Sequence, residues 1–180
     1  CMKANAERVQ QGKRPIFSPD EWIPTANGMF PGRSSPLKDA RVHHYLTMNM
    51  AMQKSSNVYM ARIIQRLVEA MGDDWYRKAL SETFALGVKT GVELPAESQG
   101  LVPTPGKLHP NGALEWSRPT PYSLPIGHNI LVNSLQMVRA YAAIANGGYL
   151  VDPHIVRKIV QKHPDGVQEV LLDKTDSSLA

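Results

Sequence analysis

A single cysteine, Cys1, stands in 180 residues, which excludes a disulfide framework and a zinc site built from several thiolates. No run approaches the roughly 18 consecutive apolar residues of a membrane-spanning helix. The opening Cys1-Met2-Lys3-Ala4-Asn5 turns polar at once and lacks the basic-then-apolar layout of an export signal. Any signal or anchor is therefore expected outside these residues. No internal repeat is visible, and neither sign of charge dominates: 20 Lys and Arg face 16 acids, scattered along the chain. A nucleic-acid interface gathers basic residues with interleaved aromatics on one face. The scattered pattern reads instead as a solvated mixed surface, and no nucleic-acid partner is expected.

What is present is a globular composition. Hydrophobic residues make up 42% and charged residues 20%, enough for a core and too apolar for a disordered tail. The 14 prolines and 13 glycines interrupt any sustained heptad pattern, so a coiled coil is excluded. The length fits one domain or a large piece of one.

Residues 1–45 hold five of the prolines and read as irregular, apart from a short helix from near Ala4 to Gly12. A short helix is expected over 46–54, with Thr47 placed to cap it. The strongest periodicity runs from Asn57 to Met71, where Met60, Ile63, Ile64, Leu67, Val68 and Met71 recur at helical steps. Gly72 ends it, and Asp73 or Asp74 is placed to cap a further helix over 73–86, with Tyr76, Leu80 and Phe84 on its buried side. Residues 95–125 carry seven prolines and almost no periodicity. Asn133 and Gln136 form a capping box for a helix over 133–146, with Leu135, Val138, Ala142 and Ala145 as its apolar stripe and Gly147-Gly148 as its stop. Residues 155–160 and 167–172 read as two strands joined around Pro164-Asp165-Gly166. The expectation is a mainly α chain with a short β-hairpin near the C-terminus.

Three short patterns bear on chemistry: Ser35-Pro36-Leu37-Lys38 as S-x-x-K, Ser55-Ser56-Asn57 as S-x-N, and Lys89-Thr90-Gly91 as K-T-G. Together such patterns mark serine enzymes that are acylated by penicillin, and each alone is weak. The middle one has the best context, at the junction of two expected helices. Its bland reading is equally simple, since Ser56 or Asn57 is a good helix cap.

Longer stretches carry a resemblance. Leu46 to Ile64 resembles the helix–S-x-N–helix segment of class B penicillin-binding proteins. Leu86 to Gly100, with Leu94-Pro95-Ala96-Glu97 inside it, is similar to the family's L-P-x-E signature. Ile126-Gly127-His128-Asn129, followed by a helix ending Ala145-Asn146-Gly147-Gly148, is similar to a third family segment. These matches cover about 40–160 in the family's order. The resemblance implies the helical portion of an α/β penicillin-binding or β-lactamase-like transpeptidase domain, with 1–180 part of one such domain: 1–45 irregular, 46–148 helical with S-x-N, and 149–180 strands and tail. It makes Ser35-x-x-Lys38 and Lys89-Thr90-Gly91 decoys. The family's nucleophile motif lies farther upstream of S-x-N, and its active-site K-T-G lies beyond the Ala-Asn-Gly-Gly helix.

By the same resemblance, Ser55 is the catalytic candidate, relaying a proton between the nucleophile's lysine and the leaving nitrogen. Asn57 is the substrate-binding candidate, holding a peptide amide. The implied activity is peptidoglycan D,D-transpeptidation through an acyl-serine, with stem peptides and β-lactams as ligands and no cofactor. The remainder of the transpeptidase domain and a cell-wall synthesis or division complex are the implied partners. The implied place is the periplasmic face of the cytoplasmic membrane, and the Ser-Ser-Asn-Val and Leu-Pro-Ala-Glu-Ser runs look closer to division-type members. A serine β-lactamase or β-lactam sensor of the same superfamily, and a non-catalytic helical binding module, stay open.

The remaining candidates have plainer readings. His43-His44 lack a ligand cluster and neighbouring residues do not face one another on a helix, so no metal is expected. His128 sits in the Ile-Gly-His-Asn turn without a required role. Met48, Met50, Met52, Met60 and Met71 read as adaptable core filling. Trp116 either lines a cleft or packs a loop down.

Overall fold

A computed structural model describes residues 1–174; the expected tail beyond Lys174 lies outside the described residues. The chain forms two compact units, one from Cys1–Lys78 with Pro103–Ile130, the other from Ala79–Val102 with Leu131 onward.

The first unit is built around one helix. It comprises α1 (Met2–Gln10), β1 (Ile23–Pro24), β2 (Tyr45–Leu46), α2 (Met48–Gln53), α3 (Asn57–Met71), α4 (Asp73–Lys78) and α5 (Thr120–Ser123), which runs into a 3₁₀ turn over Leu124–Ile126. The fifteen-residue α3 has the bounds its periodicity predicts, and it is buried on two sides. Tyr59 and Ile63 pack with Phe17, Ile23, Leu46 and Ala51 in one apolar cluster. Val58 and Ala61 pack with Phe30, Leu37 and Tyr122 in another, where the Phe30 and Tyr122 rings stack at 5.3 Å. Arg62 lies over the Phe30 ring at 4.5 Å and donates to the Asn27 carbonyl.

Several boundaries differ from the sequence reading: Thr120–Ser123 is helical within a stretch expected to be irregular, and the first hairpin strand begins at Lys158 rather than at 155. Leu46, expected to start a helix, is strand together with Tyr45, because the two pair antiparallel with Ile23–Pro24, a partner more than twenty positions away. In the second unit, the helical stretch after Lys78 loosens into a π-helical turn, Ala79–Thr83. The region 1–45 also holds more order than expected. The Asn5 side chain donates to the Phe17 carbonyl and accepts from the Ile16 amide, which pins that loop to α1.

The Tyr59 hydroxyl is buried without a hydrogen-bond partner, and burial raises its pKa. A buried polar group left unmatched costs stability. Tyr59→Phe is therefore expected to leave stability unchanged or raise it by up to about 1 kcal/mol, read from the denaturant midpoint. A clear loss would show that the hydroxyl is bonded in solution.

The second unit carries α6 (Ser134–Ala145) and the hairpin β3 (Lys158–Lys162) and β4 (Gln168–Asp173). The capping box is present as predicted, with both reciprocal bonds between Asn133 and Gln136. The buried face of α6 differs from the expected stripe: it is Gln136, Ala140 and Ala143, while Val138 is 65% exposed. Small side chains let the helix backbone approach its neighbours closely, so the larger apolar residues turn outward. Gln136 is fully buried and satisfied, its amide nitrogen donating to the Val88 and Gln99 carbonyls at 2.7 and 2.8 Å.

Beside the hairpin, the Glu93 carboxylate accepts from Lys174 and from the Ile155 amide. These bonds, Lys174 first, hold its pKa down to about 2, against an ordinary 4.5. A depressed carboxylate pKa means the tie is complete above about pH 4.5 and is lost as pH falls through about 2. The Glu93 carboxyl carbon and the Ile155 amide are expected to titrate together in an NMR series across that window. A midpoint near 4.5 would show that the tie does not form.

Candidate functional site

The S-x-N segment is the link between α2 and α3. At the end of α2 the Ser56 amide donates to the Ala51 carbonyl at 2.9 Å and the Ser55 amide to the Met52 carbonyl at 3.2 Å. This is a Schellman ending, and its left-handed residue is usually glycine. Here that residue is Ser55, at φ 49°, with its side chain exposed. Left-handed backbone is unfavourable for a residue bearing a Cβ. The local sequence thus keeps a hydroxyl where backbone preference asks for none.

The next residue does the capping. Ser56 is buried, and its hydroxyl oxygen accepts from the Tyr59 amide at 3.1 Å, the third helical position. The same hydroxyl donates to Asp39 Oδ2 at 2.5 Å, and Asp39 Oδ1 accepts from the Val58 amide at 3.0 Å. Ser55 has no part in the cap. Half-buried Asn57 donates one amide hydrogen to the Lys38 carbonyl at 3.3 Å, which leaves a second hydrogen and the amide oxygen to engage a peptide group.

Ser35 lies on irregular chain, and Pro36, Leu37 and Lys38 follow it without helix. Nothing there stacks a lysine over the serine one turn later, as a nucleophile pair on a helix requires. Leu37 instead enters the core with Val58 and Phe30. Lys89-Thr90-Gly91 is not on a strand either. Its Thr90 and Gly91 amides donate to the Glu97 carboxylate at 2.7 and 3.1 Å. The Thr90 amide leads the bonds that lower the Glu97 pKa. The K-T-G run is thus the turn that Glu97 of Leu-Pro-Ala-Glu clamps.

His43 is half-buried and His44 exposed, and both carbonyls serve as acceptors for Thr25. Among the described residues no group of three or more His, Cys, Asp or Glu is arranged to hold a metal. His128 is exposed in its turn. Met48, Met50 and Met60 pack on the Tyr59 cluster, whereas Met52 is exposed. Trp116 packs its loop down, buried and edge-on to Tyr76 at 6.1 Å. Sequence reasoning missed Asp39: it sits 17 residues before Ser56 in an unpatterned stretch, and nothing local marks it.

The family model of the penicillin-binding protein transpeptidase domain matches residues 13–178. The chain belongs to that family. It is 37% identical over 153 residues to penicillin-binding protein PbpB of Mycobacterium tuberculosis, covering 84% of this chain and 20% of that protein. It is 30% identical over 146 residues to the peptidoglycan D,D-transpeptidase MrdA of Acinetobacter baumannii, covering 76% of this chain and 21% of that protein. The crystal structure of penicillin-binding protein 3 from Mycobacterium tuberculosis complexed with ampicillin matches with a TM-score of 0.68 and 33% identity, over 96% of this chain and 34% of that one. A second crystal structure of the same protein is complexed with aztreonam. This transpeptidase-family chain thus spans about a fifth of the length of these curated relatives.

Proposed function

We propose that this chain is part of a serine-acylating peptidoglycan D,D-transpeptidase and supplies the S-x-N wall of its active site. The observation that carries the reading is the division of labour at 55–57. Ser56 and Asp39 satisfy the first turn of α3 without Ser55, so the exposed Ser55 hydroxyl and the remaining Asn57 amide valences are not needed for the fold. The relative named a peptidoglycan D,D-transpeptidase and the ampicillin and aztreonam complexes support the same substrate class. The transpeptidase relative favours it over a β-lactamase.

In the intact protein a serine outside Ser35-x-x-Lys38 attacks the penultimate D-Ala carbonyl of a stem peptide. An ester forms, and the terminal D-Ala leaves as its amine takes up a proton. Ser55 relays that proton between the nucleophile's lysine and the leaving nitrogen. Asn57 holds the substrate peptide through its amide. The amine of a second stem peptide then attacks the ester, which forms the cross-link and frees the serine. β-Lactams stop at the ester. No metal or organic cofactor takes part. Both compact units belong to one transpeptidase domain, a reading supported by the unbroken family match over 13–178. The substrate's location sets the place of action at the outer face of the cytoplasmic membrane, beside cell-wall synthesis partners.

The test is acylation of the full-length protein by a fluorescent penicillin. Ser55→Ala is expected to slow it by ~10²–10⁴-fold, the range for a lost proton-transfer group. A parent rate in that variant would leave Ser55 without a catalytic role. Rapid turnover of the penicillin would identify a β-lactamase instead.

A further inference from the structure

Ser55 and Asn57 flank a residue whose side chain points the other way, into the protein. Buried Ser56 donates its hydroxyl hydrogen to Asp39 Oδ2 at 2.5 Å, while Asp39 Oδ1 takes the Val58 amide at 3.0 Å. One carboxylate thereby grips both a side chain and a backbone amide in the first turn of α3. The neighbouring Lys38 carbonyl takes the Asn57 amide at 3.3 Å. The stretch Lys38-Asp39 thus contacts all three residues from 56 to 58.

The left-handed Ser55 needs such a grip. A residue in a sparsely populated backbone region stays there only when its surroundings over-determine it. On its N-terminal side, the bonds from Ser55 and Ser56 to the last turn of α2 hold it. On its C-terminal side the restraint is Ser56, whose hydroxyl is held by Asp39 and by the Tyr59 amide. Short charge-assisted O–H···O⁻ bonds are among the stronger ones available. Release of Ser56 would let Ser55 relax toward ordinary backbone angles and swing its exposed hydroxyl away.

We propose that Asp39 is a positioning residue for the S-x-N wall, latching Ser56 so that Ser55 and Asn57 keep their reactive geometry. This rests on the proposed role of Ser55. It predicts an effect that passes through Ser55 and not through global stability. A carboxamide at 39 can still accept from the Val58 amide. Its NH₂ would face a Ser56 oxygen already accepting from Tyr59, and the Ser56 hydroxyl hydrogen would lose its acceptor.

The experiment measures the acylation rate constant and the initial β-lactam affinity separately, with a fluorescent penicillin and the full-length protein. Asp39→Asn is expected to lower the rate constant about 10- to 100-fold, the scale of an ångström-sized misplacement, with a smaller change in affinity. Ser56→Ala, which removes the latched hydroxyl together with its cap bond from the Tyr59 amide, is expected to slow acylation likewise at some cost in stability and provides a second route if Asp39→Asn folds poorly. In a Ser55→Ala background, Asp39→Asn is expected to add little, because the group it positions is gone. Full additivity there would make Asp39 a structural residue and overturn the proposal. A parent acylation rate in both Asp39→Asn and Ser56→Ala would also overturn it, even with Ser55→Ala slow. If Ser55→Ala itself acylates at the parent rate, the role of Ser55 fails first, and the latch has nothing to position.

Discussion

Ser55→Gly is expected to raise the stability of the protein while nearly abolishing its acylation. Ser55 occupies the left-handed position of a Schellman helix ending, at φ 49°. Glycine adopts that conformation without the Cβ penalty, and the exposed Ser55 side chain makes no bond that the substitution would remove. The gain expected in the native state is about 0.5–1 kcal/mol, after allowing for the greater freedom of glycine in the unfolded chain. A higher thermal midpoint with acylation slowed ~10²–10⁴-fold would show function held at the expense of stability. Ser55→Ala provides the contrast: it loses the hydroxyl, keeps the Cβ, and should slow acylation without the stability gain. If Ser55→Gly is less stable than the parent, the left-handed geometry does not persist in solution.

Gly28→Ala is expected to damage both fold and site. A Cβ at 28 would sit 1.8 Å from the Leu37 carbonyl oxygen, a backbone atom that no rotamer change can move. The two segments are tied there, since the Leu37 amide donates to the Gly28 carbonyl at 2.8 Å. Relief of the clash must push the 37–39 stretch away. Leu37 would withdraw from its cluster with Val58 and Phe30, and Asp39, two residues on, would lose register with Ser56. Gly28, Leu37 and Asp39 also line one cavity of about 300 Å³, so the displaced chain has some room to yield. The expected destabilisation is about 1–3 kcal/mol, the usual range for overpacking. The acylation rate of the folded fraction should fall with it. A variant of parental stability would mean that the two segments lie farther apart than 28 and 37 do here.

Much of the helical scaffold was legible from residue patterns. The bounds of α3 follow from its periodicity and from Ser56 and Gly72 at its ends, and the Asn133–Gln136 capping box forms as written. These are local effects: bonds and contacts three or four residues apart, which the order of residues encodes directly. The position of the candidate site was legible for the same reason, since Ser55-Ser56-Asn57 falls between two helices that local rules predict.

Non-local partners decided the rest. Residues 45–46 became strand because Ile23–Pro24 lies alongside, a pairing that overrides local preference. The α6 face that is buried is the one whose small residues and Gln136 meet the Val88 and Gln99 carbonyls. Apolar periodicity alone placed it elsewhere. At the site, the sequence determined which residue types stand at 55, 56 and 57, and left the cap open between Ser56 and Asn57. Tertiary structure assigned the cap to Ser56 and set Ser55 in left-handed backbone. It also brought Asp39 against them from 17 positions upstream. The physical reason is that a hydrogen bond to a distant carboxylate depends on where the chain returns, and no local pattern specifies that return.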